Sequence, residues 1–98
     1  MKVYISGMIT GLSPETVKEE FGTAETILKC QGYIPVNPLN NGLESSAPWA
    51  AHMVADIKML LDCDSIYMIN GWKDSRGAKI EHYIATSLGM GVIFQSND

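Results

Sequence analysis

Four short β-prone runs alternate along this chain with three stretches of helical period, and that alternation most constrains what it can fold into. Val3 to Ser6, Tyr33 to Val36, Asp64 to Ile69 and Gly91 to Gln95 read as strands, while 14–31, 48–62 and 75–88 read as helices. Strands joined through helices lie side by side in parallel, with right-handed crossovers. The expectation is therefore an α/β fold, a Rossmann-like three-layer α/β/α with a four- to five-stranded parallel sheet, as a single domain over 1–98. Ser65-Ile66-Tyr67-Met68-Ile69 is nearly continuous in apolar character, as suits a central strand covered on both faces. Pro35 and Pro38 mark the second run as an edge strand. Ligands of such folds bind at the carboxyl ends of the strands.

The helix limits follow from local chemistry. Ser13 caps the first helix with Pro14 in its first turn, Val17, Phe21, Ala24 and Leu28 form its inner face, and Gly32 ends it. The second helix should start near Pro48, with Ser45 or Ser46 as cap, and bury Ala50, Met53, Val54, Ile57, Leu60 and Leu61. Gly89 ends the third. Between the second strand and second helix, 37–47 is rich in Asn, Gly, Ser and Pro without periodicity, so it reads as a long functional loop, a candidate lid.

Charge and composition exclude several classes. The net charge is −4, with seven basic residues against eleven acidic ones, so the chain lacks the basic face that polymeric nucleic acid requires. A single nucleotide is not excluded by this. The start Met1-Lys2-Val3-Tyr4-Ile5-Ser6-Gly7 has no signal-peptide pattern and no window reaches membrane-spanning length, so a cytoplasmic protein with no membrane association is expected. Cys30 and Cys63 lack metal or redox spacing and are expected as reduced, mostly buried thiols. His52 and His82 fall on different helices with no third ligand near, so they read as surface histidines; no metal and no cofactor is expected.

Within the third helix one residue breaks the pattern. Counting from Glu81, the positions i−3, i+3, i+4 and i+7 are Ala78, Ile84, Ala85 and Leu88, so a carboxylate lies along the apolar stripe. Spacing alone leaves two readings, an edge glutamate that reaches water or a lysine, and a buried carboxylate kept for chemistry. A second carboxylate, Asp56, stands on the margin of the preceding helix's stripe. Gly7 and Gly11 bracket the loop after the first strand but match neither a Walker loop nor a dinucleotide fingerprint, and alone they indicate a tight turn. The turn Asp74-Ser75-Arg76-Gly77 offers either an ordinary helix cap or an anion site, with a hydroxyl, a glycine and free helix N–H groups.

Taken in order, Val3-Tyr4-Ile5-Ser6-Gly7-x-Ile9-Thr10-Gly11, Asp56-x-x-x-Leu60-x-x-Cys63-Asp64-x-Ile66 and Gly71-Trp72-x-x-Ser75-x-Gly77-Ala78-x-x-Glu81-x-x-x-Ala85-x-x-x-Gly89 span most of the chain. Together they resemble the nucleoside 2-deoxyribosyltransferase-like superfamily, including its deoxynucleoside 5′-monophosphate N-glycosidases. The resemblance implies that Glu81 attacks the anomeric carbon of a deoxyribosyl group, that Asp56 assists departure or protonation of the base, and that Tyr4 orients the nucleophile. It implies that Ser75 matches the serine holding the 5′-phosphate, and that Asp64 is mainly structural. Ser6, Gly7, Thr10 and Gly11 of the first loop, with Trp72, Ser75, Arg76 and Gly77, are the expected substrate-binding residues.

Such chemistry agrees with the residue types, because a two-step displacement at a sugar carbon needs one ionised carboxylate and a second group to manage the leaving proton. The ligand implied is a nucleoside or nucleotide. The phosphate-binding relatives have an arginine where Thr10 stands, so phosphate affinity is expected from Ser75, backbone amides, Arg76 and Lys73. Trp49 and Trp72 are expected to flank the cleft, with Trp72 a candidate to stack on the base. The other classes open at this point are a non-catalytic nucleotide-binding module and a scaffold without ligand. Size suggests a homodimer or higher homo-oligomer.

Overall fold

Strands and helices alternate as the patterning requires. The computed structural model describes residues 1–96, so the last two residues of the expected domain lie outside the described part. Its elements are β1 (Lys2–Ser6), α1 (Pro14–Cys30), β2 (Ile34–Val36), α2 (Trp49–Leu61), β3 (Ser65–Met68), α3 (Arg76–Ser87) and β4 (Gly91–Phe94). Short 3₁₀ turns occupy Pro38–Asn40 and Trp72–Asp74. The sheet has four strands in the order β2-β1-β3-β4, all parallel, with Tyr4 opposite Val36 on one side and Ile66 on the other. The chain steps from β1 out to β2 and then returns to the far side of β1, so the order reverses between β1 and β3, the point at which such sheets open a crevice.

Alternation along β1 sorts its side chains into two layers. Val3 and Ile5 face α1, where they join Val17, Phe21, Ala24, Leu28, Tyr67 and Ile69 in one core. Tyr4 faces the other way, into a second core with Leu60 of α2, Ile66 and Met68 of β3, and Ala78 and Ala85 of α3. The layers are thus α1, sheet, and the α2–α3 pair. Lys2 and Asp64 tie β1 to the start of β3 twice, since the Lys2 N–H donates to Asp64 Oδ2 and the Asp64 N–H donates to the Lys2 carbonyl, each at 2.9 Å.

Helix ends follow their residues. Ser13 and Ser75 accept from the amides three positions on, Thr16 and Ala78, both at 3.2 Å, and such caps each contribute about 1 kcal/mol. Gly32 and Gly89 close α1 and α3 with φ of +85° and +72°; beyond them Tyr33 and Met90 donate back to Leu28 and Ala85, the paired bonds that only a left-handed residue permits cheaply.

Four expectations need correction here. Neither Ser45 nor Ser46 caps α2: Pro48 is its first flanking residue, with no side-chain cap, because Glu44 to Ala47 closes a turn of its own, with a 3.0 Å bond from the Ala47 N–H to the Glu44 carbonyl. The buried face of α2 is Met53, Asp56 and Leu60, while Ala50, Val54 and Leu61 point outward, so the helix is rotated from its expected setting and Asp56 moves from the margin to the centre. Cys30 is exposed and Cys63 half-buried, its thiol donating to the Met59 carbonyl at 3.3 Å. Likewise Leu88, expected on the stripe of α3, is exposed, since that helix buries only Ala78, Glu81 and Ala85.

Gly7 ends β1 against a close neighbour. A Cβ there would stand 3.0 Å from both Cβ and Cδ1 of the buried Ile69. Gly7→Ala is therefore expected to cost ~1–2 kcal/mol through overpacking, read as a lower urea midpoint with unchanged slope.

Candidate active site

The two-residue period of β1 that buries Tyr4 also turns Ser6 toward α3, and the spacing of Ala78, Glu81 and Ala85 turns Glu81 toward the sheet. The three side chains meet. Tyr4 donates its hydroxyl proton to Glu81 Oε2 at 2.8 Å, and Ser6 donates to Oε1 at 2.8 Å. Glu81 is only 5% exposed, so it neither reaches water nor pairs with a lysine. Two neutral donors, one to each oxygen, satisfy the carboxylate without a counter-ion.

Burial pushes the Glu81 carboxyl up to about 7, against the lowering pull of the Ser6 and Tyr4 hydrogen bonds, while the nearby Asp56 charge raises it further. The Tyr4 phenol is driven far above its ordinary value by burial first and then by the charges of Glu81 and Asp56, so it keeps its proton and acts as a donor. Tyr4→Phe removes one of the bonds that hold the ionised form. A carbon-detected titration of the Glu81 side chain should then find its midpoint above that of the parent protein, and a midpoint unmoved or lowered would contradict this arrangement.

Asp56, 6% exposed, projects from α2 into the same cavity. Burial raises its carboxyl, opposed by a hydrogen bond from Asn41 and by the proximity of His52. Asn41 Nδ2 donates to Asp56 Oδ1 at 2.9 Å and lies 3.0 Å from His52 Nδ1, while His52 Nε2 lies 3.0 Å from the Glu44 carbonyl. The loop between β2 and α2 is thereby fastened to α2 through side chains. Leu39, Leu43, Ser45 and Ala47 of that loop form one wall of the cavity.

The cavity itself measures about 880 Å³, within the roughly 300–1,000 Å³ range of small-molecule sites. Gly77 helps to shape it. A Cβ at that position would come within 3.1 Å of Met53 Sδ and 4.0 Å of Trp49 Nε1, so the missing side chain lets the start of α3 pack closely on α2. That contact, rather than approach to an anion, is the visible use of this glycine. Arg76 sets its guanidinium 4.1 Å over the Trp49 ring at the cavity wall, a cation–π contact that holds a cation there.

Of the residues singled out from sequence, Tyr4, Gly7, Thr10, Asp56, Ser75, Arg76, Gly77 and Glu81 line this cavity, and Ser6 reaches it through its bond to Glu81. Ser75 uses its oxygen as the cap of α3. Gly11 lies outside the lining, in the turn before α1 with φ +94°. Trp72 also lies outside, packed 4.4 Å from the His82 ring and 6.2 Å from Phe94 around a separate hollow, and Lys73 sits 5.8 Å over its ring. It therefore does not flank the main cleft as Trp49 does. The two histidines are likewise not free on the surface: His82 is half-buried in this aromatic group, and His52 is held as described.

Asn41 and His52 were not legible as site residues. The one available signal was the four-residue step from His52 to Asp56, which puts both on one helical face. Among the described residues no helix is long and apolar enough to cross a membrane.

Comparison with known proteins adds two findings. The family model described as Domain of unknown function (DUF4406) matches residues 1–94. The fold is similar to that of a 2-deoxyribosyltransferase from the psychrotolerant bacterium Bacillus psychrosaccharolyticus, with a TM-score of 0.73 and 20% sequence identity over 96% of this chain and 71% of that one. At that identity the likeness is one of fold. No curated protein matches the sequence.

Proposed function

The chain belongs to the DUF4406 domain family, and from its fold and the geometry of its cavity we propose that it cleaves or exchanges the N-glycosidic bond of a 2′-deoxynucleoside or its 5′-monophosphate. One observation carries this reading: a buried carboxylate, Glu81, held at both oxygens by Tyr4 and Ser6 and opening on the cavity that Asp56 also lines. A structural glutamate gains nothing from such a setting, because its ionised form is disfavoured there by burial. A nucleophile does gain, since it is poorly solvated and fixed in direction.

The steps follow from these groups. A Glu81 oxygen forms a bond to C1′ of the sugar as the C1′–N bond breaks, the bonding pair leaving with the base. Asp56, whose carboxyl is raised and so holds its proton longer, gives that proton to the departing nitrogen. Tyr4 and Ser6 keep the Glu81 oxygens aimed throughout. The glycosyl ester is then opened at C1′ by water, giving a free sugar, or by a second base, giving a new nucleoside; in either case Asp56 takes up the proton and Glu81 is released as carboxylate. At the sugar's other end, Arg76, the Ser75 hydroxyl proton and the first amides of α3 offer donors to a 5′-phosphate.

Incubation with each deoxynucleoside and each deoxynucleoside monophosphate, followed by chromatography, tests the reading. Free base, or an exchanged base when a second one is added, is the expected result. Tight capture of a nucleotide with no release of base from any substrate would replace the enzyme by a binding module. Self-association belongs to the same proposal, since Val54 and Leu61 of α2 and Tyr83 and Leu88 of α3 leave large apolar side chains exposed, and light scattering should give more than a monomer.

A further inference from the structure

We propose that His52 is a positioning residue for Asp56, acting through the Asn41 amide with the single proton of its ring on Nε2. For its place in catalysis this rests on the glycosyl-transfer reading above; for its geometry it does not. The direction of each bond is decided by groups whose roles admit no choice. The Leu43 backbone N–H can only donate, and it meets Asn41 Oδ1 at 3.0 Å. The amide is thereby oriented with Nδ2 toward α2, where its two hydrogens go to Asp56 Oδ1 at 2.9 Å and His52 Nδ1 at 3.0 Å. An amide N–H in that direction requires Nδ1 to accept, so Nδ1 carries no proton. At the other side of the ring the Glu44 carbonyl can only accept, and Nε2 stands 3.0 Å from it. Nε2 therefore carries the proton.

The consequence for Asp56 is specific. With Oδ1 committed as an acceptor to Asn41, the proton of the neutral acid belongs on Oδ2, so the relay decides which oxygen serves as the acid. His52 holds the amide against rotation, and being one helical turn before Asp56 on α2, it does so from the same rigid element. Nothing in this arrangement requires His52 to touch substrate.

Two kinds of measurement test it. Long-range proton–nitrogen NMR of the two imidazoles, with a His82→Gln variant to assign them, should give the Nε2–H form for His52; the Nδ1–H form would overturn the proposal. Glutamine places an acceptor and a donor much as the two ring nitrogens do, whereas phenylalanine keeps the ring and neither bond. His52→Phe should lower kcat for base release about tenfold with KM nearly unchanged, and His52→Gln should stay within about twofold of the parent. In an Asn41→Leu background His52→Phe should add nothing, because the path is already cut. An equal loss in both backgrounds, or glutamine as damaging as phenylalanine, would sink the relay. A carbon-detected titration of Asp56 supplies an activity-free reading of the Asn41 bond: its midpoint should rise in Asn41→Leu, and an unmoved midpoint there counts against the proposal. Should the parent protein release no base from any substrate, the glycosyl-transfer reading falls, while the tautomer and the Asp56 titration still decide the relay.

Discussion

Replacing Glu81 by glutamine is expected to lower the rate of base release by roughly 10⁴-fold or more, the scale seen when a covalent nucleophile is removed. The substitution keeps the shape of the side chain. Tyr4 or Ser6 can go on donating to the remaining carbonyl oxygen, and the other hydroxyl can turn to accept from the new amide, so the pocket loses the proposed nucleophile and little else. Chromatography of released base in parent and variant measures the effect. A Glu81→Gln protein that remained fully active would remove the assigned mechanism, whatever the substrate proved to be.

Stability should fall as pH rises through the range in which Glu81 ionises. In the folded protein the Glu81 carboxyl lies at about 7, against an ordinary value of 4.5 in the unfolded chain. Between those values the unfolded chain has released a proton that the folded protein still holds, so unfolding is favoured increasingly as pH rises. At 1.36 kcal/mol per pH unit the loss amounts to ~3 kcal/mol from about pH 4.5 to about pH 7, after which it levels off. With Glu81 5% exposed, solvent does little to screen that cost. Turnover needs Glu81 ionised and Asp56 protonated together, so it should pass through a maximum rather than follow either group alone. Urea titrations across pH 4.5–8 should show the decline in the parent protein, with its Glu81 part absent from Glu81→Gln. Asp56, raised by burial in the same sense, leaves a remainder in the variant. A parent protein whose stability is flat or increasing over that window would contradict the burial of an unpaired carboxylate. The cost is the counterpart of the proposed reactivity, because the desolvation that would make the carboxylate reactive also makes it costly to keep folded.

How far the site could be seen beforehand differs from helix to helix. On α3 the polar positions outnumber the apolar ones, so the stripe is narrow and a carboxylate within it stands out; Glu81 was legible for that reason. On α2, apolar residues occur all round the helix, and period alone cannot choose among faces. The apolar spacing favoured a face with Ala50, Val54 and Leu61, yet packing against the sheet selected Met53, Asp56 and Leu60, leaving apolar side chains outside and an acid within. The turn after β3 points Trp72 at the cleft by sequence, but the 3₁₀ turn that begins at Trp72 carries the indole toward Phe94 on the neighbouring strand and His82 on α3. Asn41 lay in a segment with no period at all, where sequence carries turn chemistry but no direction.

What the amino-acid order determined by itself was the succession of elements, the caps of the first and last helices, the all-parallel sheet and the presence of an acid among the inner residues of the last helix. These are encoded within a few neighbouring positions, as 2- and 3.6-residue periods, Ser caps and terminal glycines. Only the tertiary structure decided that Tyr4 and Ser6 would meet Glu81, bonds that bridge 77 and 75 positions of sequence, and that Asn41 would link His52 to Asp56. Such meetings depend on strand order, on crossovers and on the rotation of each helix about its axis, and all three are set by burying the whole apolar surface at once rather than by any local pattern.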